Sequence, residues 1–146
     1  WTYNAQLPQY SIRVYDRETG QRATRVSRYG SAFSPTLSPD GQWLIYGTRH
    51  DQETGLVLRD LKSGEERWLV FPVQKDDMES RATLDILPGF AFTPDGTAVV
   101  ASYDGGFWRV PLDGAEPVRI PFRADVRLRI GPHRGRRSDR YAVQVS

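Results

Sequence analysis

Apolar and β-branched residues come in short runs along this chain. Trp43-Leu44-Ile45-Tyr46-Gly47-Thr48 and Ala98-Val99-Val100-Ala101-Ser102-Tyr103 are too short for helices and rich in strand-favouring residues. Residues 55–61 (GLVLRDL) and 106–112 (GFWRVPL) alternate apolar and polar positions, the period of a strand whose two faces differ. Similar runs lie at 10–16 (YSIRVYD), 23–26 (ATRV), 66–71 (ERWLVF) and 117–122 (PVRIPF). The runs predict an all-β chain.

Two kinds of turn punctuate these strands. The first reads Ser38-Pro39-Asp40-Gly41 and again Thr93-Pro94-Asp95-Gly96. Proline presets φ for the first corner, aspartate bonds back to the backbone, and glycine accepts a positive φ. These turns predict hairpins of 32–37 with 43–48 and of 89–92 with 98–103. The second turn is Arg17-Glu18-Thr19-Gly20, then Lys62-Ser63-Gly64-Glu65, then Asp113-Gly114-Ala115-Glu116. Asp104-Gly105-Gly106 carries the Asp-Gly signal of a tight hairpin; a phosphate cradle would need a following helix.

The turns recur with a period. Gly20 to Gly64 is 44 residues, Gly64 to Gly114 is 50, and Pro39 to Pro94 is 55. Four short strands per ~40–50 residues is the signature of a β-propeller blade. The chain therefore predicts a partial β-propeller of about two and a half to three four-stranded antiparallel blades. Residues 1–146 form a single propeller fragment: a half blade at 10–26, a blade at 30–71, an inserted loop at 72–88 and a blade at 89–122. Residues 123–146 are the start of a next blade or a basic tail. A closed propeller needs at least about four blades, so this chain is a piece of a longer protein or assembles from copies.

The segments 33–48 (FSPTLSPDGQWLIYGT) and 90–103 (FAFTPDGTAVVASY) resemble the TolB-type propeller repeat, with its Pro-Asp-Gly turn. A second resemblance lies in 79–95, 106–111 and 119–126, which look like bacterial amidohydrolase-related proteins. In those, a propeller precedes a metal-dependent hydrolase barrel. That likeness implies architecture only, because the His-X-His pair of such barrels is absent: neither His50 nor His133 has a histidine two residues away. A third alternative is the propeller of a serine peptidase of the prolyl-oligopeptidase type, which also uses such repeats; the flank at 79–95 favours the amidohydrolase resemblance over it.

Composition narrows the chemistry. Hydrophobic residues make up 38% and aromatics 12%, which argues for a packed core rather than a disordered chain. No apolar run reaches the ~18–20 residues of a membrane helix, so no membrane partner is expected, and Trp1 opens directly into polar sequence, the expectation being a mature or cut chain. Zero cysteine excludes disulfides, thiolate metal sites and a cysteine nucleophile. Net charge is +2, yet residues 123–140 hold seven arginines against two aspartates. That stretch has the charge of a nucleic-acid arm but not the interleaved aromatics of one, so the expectation is a solvated end and no nucleic-acid partner.

Candidate site residues are few. Asp76, Asp77, Glu79 and Arg81 lie in the inserted loop, together with Asp85. Their spacing does not match a calcium loop, and the expectation is an interaction loop. His50, Asp51 and Glu53 form a polar hairpin tip rather than a metal site, for want of a second histidine. Ser34, Ser38 and Thr93 lack a nucleophile-elbow motif and sit where turns need a hydroxyl. Trp43, Trp68 and Trp108 are expected to pack between blades, with ligand stacking for any that faces a channel.

No catalytic, cofactor or metal residue is assigned; a divalent metal such as zinc would belong to a parent hydrolase domain. The functional expectation is a non-catalytic scaffold that positions or gates substrate and packs on that domain. The alternative is a protein- or peptide-binding module closing its ring with other copies of itself. A periplasmic or extracellular location fits the missing cysteines and the resemblance.

Overall fold

The computed structural model describes residues 10–51, 53–75, 87 and 89–126, and these form strands and turns without a helix. The strands are β1 (Ile12–Tyr15), β2 (Arg22–Val26), β3 (Phe33–Leu37), β4 (Trp43–His50), β5 (Glu53–Asp60), β6 (Glu66–Lys75), β7 (Phe90–Phe92), β8 (Ala98–Tyr103), β9 (Gly106–Pro111) and β10 (Val118–Ile120). All pairings are antiparallel. β1–β2 is a two-stranded ribbon, β3-β4-β5-β6 one four-stranded sheet and β7-β8-β9-β10 another. These are the half blade and the two full blades that the turn periodicity predicts.

The strand limits differ from the expected ones at two places. β6 runs on to Lys75, so the first four residues of the 72–88 segment belong to the sheet, where Lys75 pairs with Glu53 and Gln74 with Thr54. The apolar–polar pattern hides this because the β5–β6 register shifts around Leu56, and an irregular ladder breaks the two-residue period. β10 is shorter than the 117–122 run, spanning Val118–Ile120.

The β3–β6 blade lies between the other two units. Leu44 and Tyr46 of β4 and Val57 of β5 pack with Ile12, Val26 and Ala32. From the opposite face, Ile45, Leu56 and Leu58 pack with Val99 and Ala101 of the next blade, with Phe90 and Phe92 against them. A strand buried on both faces carries a continuous apolar run instead of an alternating one. That is why residues 43–48 read as unbroken apolar sequence.

The link from half blade to blade is held by its backbone. The Ala32 amide donates to the Tyr10 carbonyl at 2.8 Å, and the Arg49 amide to the Gly30 carbonyl at 3.1 Å. The Thr48 hydroxyl donates to the Ser31 carbonyl at 2.7 Å, and the Tyr10 amide to Ser31 Oγ at 3.1 Å. Gly30 has φ +84°, and a Cβ there would lie 2.1 Å from the Arg49 carbonyl oxygen. Only glycine fits that crossing.

Candidate functional site

The two Pro-Asp-Gly turns are built alike. The Ser38 hydroxyl donates to Asp40 at 2.5 Å and accepts the Trp43 amide at 2.8 Å. Asp40 also accepts the Gln42 amide at 3.0 Å. In the second copy the Thr93 hydroxyl donates to Asp95 and accepts the Ala98 amide at 3.1 Å, while Asp95 accepts the Thr97 amide. The Gly41 and Gly96 amides close the turns onto the Ser38 and Thr93 carbonyls. The hydroxyl beside Asp95 holds its carboxyl down at about 2, and Ser38 lowers Asp40 in the same way. Pro39, Asp40, Gly41, Pro94, Asp95 and Gly96 thus close hairpins, and Ser38 and Thr93 serve as turn donors.

A second acidic device escaped the sequence reading. Asp16 accepts the Glu18 and Thr19 amides, and Asp60 accepts the Lys62 and Ser63 amides at 2.7 and 3.0 Å. Backbone hydrogen bonds lower both carboxyls, with Thr19 the largest cause for Asp16 and Ser63 for Asp60. The signal was present as an aspartate four residues before Gly20 and before Gly64. The third copy begins at Asp113, one residue before its glycine, and keeps one such bond, to Ala115.

The remaining candidates are spread out. Ser34 is exposed at a β3 irregularity with φ 51°. Asp104 and Gly105 both take positive φ in the β8–β9 turn, the backbone of a tight hairpin. His50 lies 3.8 Å from Asp51, with both side chains mostly exposed. Among the described residues no three histidine, aspartate or glutamate side chains gather into a metal-binding group. Asp76, Asp77, Glu79, Arg81, Asp85 and His133, with the arginines from 127 onward, lie outside the described residues.

The tryptophans divide. Trp43 packs against the core between the full blades, and Trp108 donates Nε1 to the Tyr103 carbonyl at 3.0 Å while stacking on that ring. Trp68 is instead 38% exposed. Its ring meets Phe71 at 4.6 Å and His50 at 6.2 Å, and the Arg28 guanidinium lies 6.0 Å from it. Beside it, Arg28 donates to the buried Tyr46 hydroxyl at 3.0 Å and pairs with Glu66, which Arg59 holds at 2.5 Å. Burial, opposed by the Arg28 hydrogen bond, pushes that hydroxyl up to about 12. Three separate elements meet there, so no local pattern announced the cluster.

Two surfaces stand out by exposure. On the β7–β10 blade, the face turned away from the central blade carries Val100, Phe107, Val118 and Ile120 by register. Phe107 is 43% and Val118 59% exposed, and Phe122 lies edge-on to Phe107 at 5.0 Å. Between the half blade and the central blade lies a cleft of about 550 Å³.

No family model matches the sequence, and no curated protein sequence matches it. Among solved structures, TolB from Acinetobacter baumannii superposes with a TM-score of 0.58 at 20% sequence identity, over 81% of this chain and 28% of that one. The chain thus spans under a third of that protein's length, and its fold is a TolB-like partial β-propeller.

Proposed function

We propose that this chain is a protein-binding scaffold, a run of propeller blades that works by packing against another protein surface. The observation that carries this is the outer face of the β7–β10 blade. The equivalent faces of the central blade are buried on both sides, whereas this one leaves Phe107 and Val118 open. A sheet face of that composition is one that a protein covers.

Two partners fit such a face. One is a metal-dependent hydrolase domain of the same polypeptide, which the amidohydrolase-like stretches at 79–95, 106–111 and 119–126 support; the chain would then position or gate substrate without supplying catalytic groups. The other is a second copy of the chain completing a ring. Complete absence of cysteine supports a periplasmic or extracellular setting.

Sedimentation of the chain with and without Phe107→Lys and Val118→Lys tests the reading. The expected result is concentration-dependent association of the wild type that both substitutions abolish. A wild type that stays monomeric at high micromolar concentration, and binds no dye specific for exposed apolar surface, would overturn it. Translating the reading frame on both sides of the coding segment tests the hydrolase partner: a following His-X-His barrel is expected, and a frame without one removes that partner.

A further inference from the structure

The edge strand β6 of the central blade carries a group of aromatic rings that a regular strand could not assemble. Trp68 and Phe71 are three residues apart on β6, and the two-residue strand period sends such residues to opposite faces. Here the β5–β6 register shifts on both sides of Leu56, and an irregular ladder re-aims side chains. Both rings come to one face, with centroids 4.6 Å apart. His50, at the end of β4, stands edge-on to Phe71 at 5.8 Å. Gly55 makes the seat: a Cβ there would lie 2.7 Å from Phe71 Cδ2 and 2.8 Å from Trp68 Cζ3. One ring is enough to cover a strand glycine; this face holds two and a histidine.

The cluster is open to solvent. Trp68 is 38% and Phe71 36% exposed, and most of the His50 side chain is exposed. This exposure does not depend on a neighbouring blade. The half blade matches β5–β6 through the Gly20 and Gly64 turns, so strands completing it belong beside β1. Trp68 instead meets Arg28, which follows β2. Downstream of β6, Leu87 packs on the other face, in the core between the two full blades.

Size and charge select the occupant. Two rings a little over a third exposed offer roughly 100–200 Å² of apolar surface, far below the ~800 Å² that a stable protein partner covers. That suits one small ring. A cationic ligand meets a ring already served, since the Arg28 guanidinium lies 6.0 Å from Trp68. The two basic groups in contact with the rings, Arg28 and His50, face Glu66 and Asp51. A nucleotide or other anion would need free cations for its charge. What fits is a neutral ligand with a flat apolar face and hydroxyls round its edge. Arg28, Glu66, His50 and Asp51 supply donors and acceptors for such an edge.

We propose that the Trp68–Phe71 pair binds a sugar residue of a neutral β-linked glucan-like chain. The equatorial hydroxyls of such a sugar leave axial C–H groups as a flat apolar face, which stacks on the rings. The edge hydroxyls bond to His50, Asp51 and Glu66. This goes beyond the scaffold reading and uses a different surface from the Phe107–Val118 face.

The test is saturation-transfer NMR of the full chain with cellohexaose, a β-linked glucose hexamer, beside a galacturonate hexamer and a polyproline peptide. The expected result is saturation of the axial C–H protons of cellohexaose. Trp68→Ala and Phe71→Ala are each expected to weaken binding at least about fivefold, and Trp68→Phe, which keeps a ring, to weaken it less. His50→Ala should weaken it about twofold to tenfold without lowering the melting temperature. Tyr15→Ala, which removes an exposed ring on the half blade, should leave it unchanged. Absence of transfer to cellohexaose at millimolar concentration would overturn the proposal. So would transfer that survives in Trp68→Ala and Phe71→Ala, or tighter binding of the galacturonate hexamer or the polyproline peptide, which would make the occupant an anion or a protein segment. Association through Phe107 and Val118 is expected to persist in all these variants, so failure here leaves the scaffold reading standing.

Discussion

Asp95 shows how a single exposed side chain reports on the fold. Its carboxylate accepts the Thr93 hydroxyl and the Thr97 amide, and the native pKa sits at about 2, below the ~3.9 of an unfolded aspartate. A depressed native pKa means that the stabilisation is complete above the unfolded value and fades as pH falls through the native one. Asp95→Asn should therefore melt lower at neutral pH, and its melting temperature should fall less steeply than wild type's between about pH 4 and about 2. Parallel curves would show that the carboxylate contributes nothing. Glycines provide a second contrast. Gly41→Ala meets only the cost of φ +72°, with no neighbour within 4 Å, about 1–2 kcal/mol. Gly30→Ala adds a backbone clash and should cost about 3 kcal/mol or more in urea unfolding. The Pro-Asp-Gly residues were legible in sequence because a turn is a local object. The roles of Gly30 and Ser31 were not, since their partners Arg49 and Tyr10 are distant in the chain.

Among elements, β4 carries the most. Its alternate side chains serve two different cores, Tyr46 toward the half blade and Ile45 toward the next blade. Both are fully buried. Ile45→Ala should cost about 2–5 kcal/mol and loosen the two full blades from each other. Equilibrium denaturation read by Trp43 fluorescence, with the other tryptophans replaced, checks both, since Trp43 packs at that interface. Tyr46→Phe should cost less, about 1–1.5 kcal/mol, because Arg28 keeps Glu66. The existence and type of the strands followed from short β-rich runs between turns. The far end of β6 did not, because the ladder shifts register beside it.

At the scale of the molecule, blades protect one another. β4 and β5 are covered on both sides, while the β1–β2 ribbon and β10 each have a side without a neighbour among the described residues. Native-state hydrogen exchange should therefore be slowest in β4 and β5 and fastest in β1, β2 and β10. Uniform protection would contradict a layered stack. The same asymmetry places the association face on the side of the β7–β10 blade turned away from the central blade.

The sequence alone determined the strands, the repeating turns and the blade count, because each rests on contacts among residues near in the chain: proline's φ, aspartate's backbone bonds and the two-residue strand period. Tertiary structure alone decided which surfaces are left uncovered. Phe107 and Ile45 are both apolar strand residues; the unbroken run at 43–48 and the alternating one at 106–112 differ, but neither pattern says which blade, if any, covers a given face. The difference is whether another blade packs on that face.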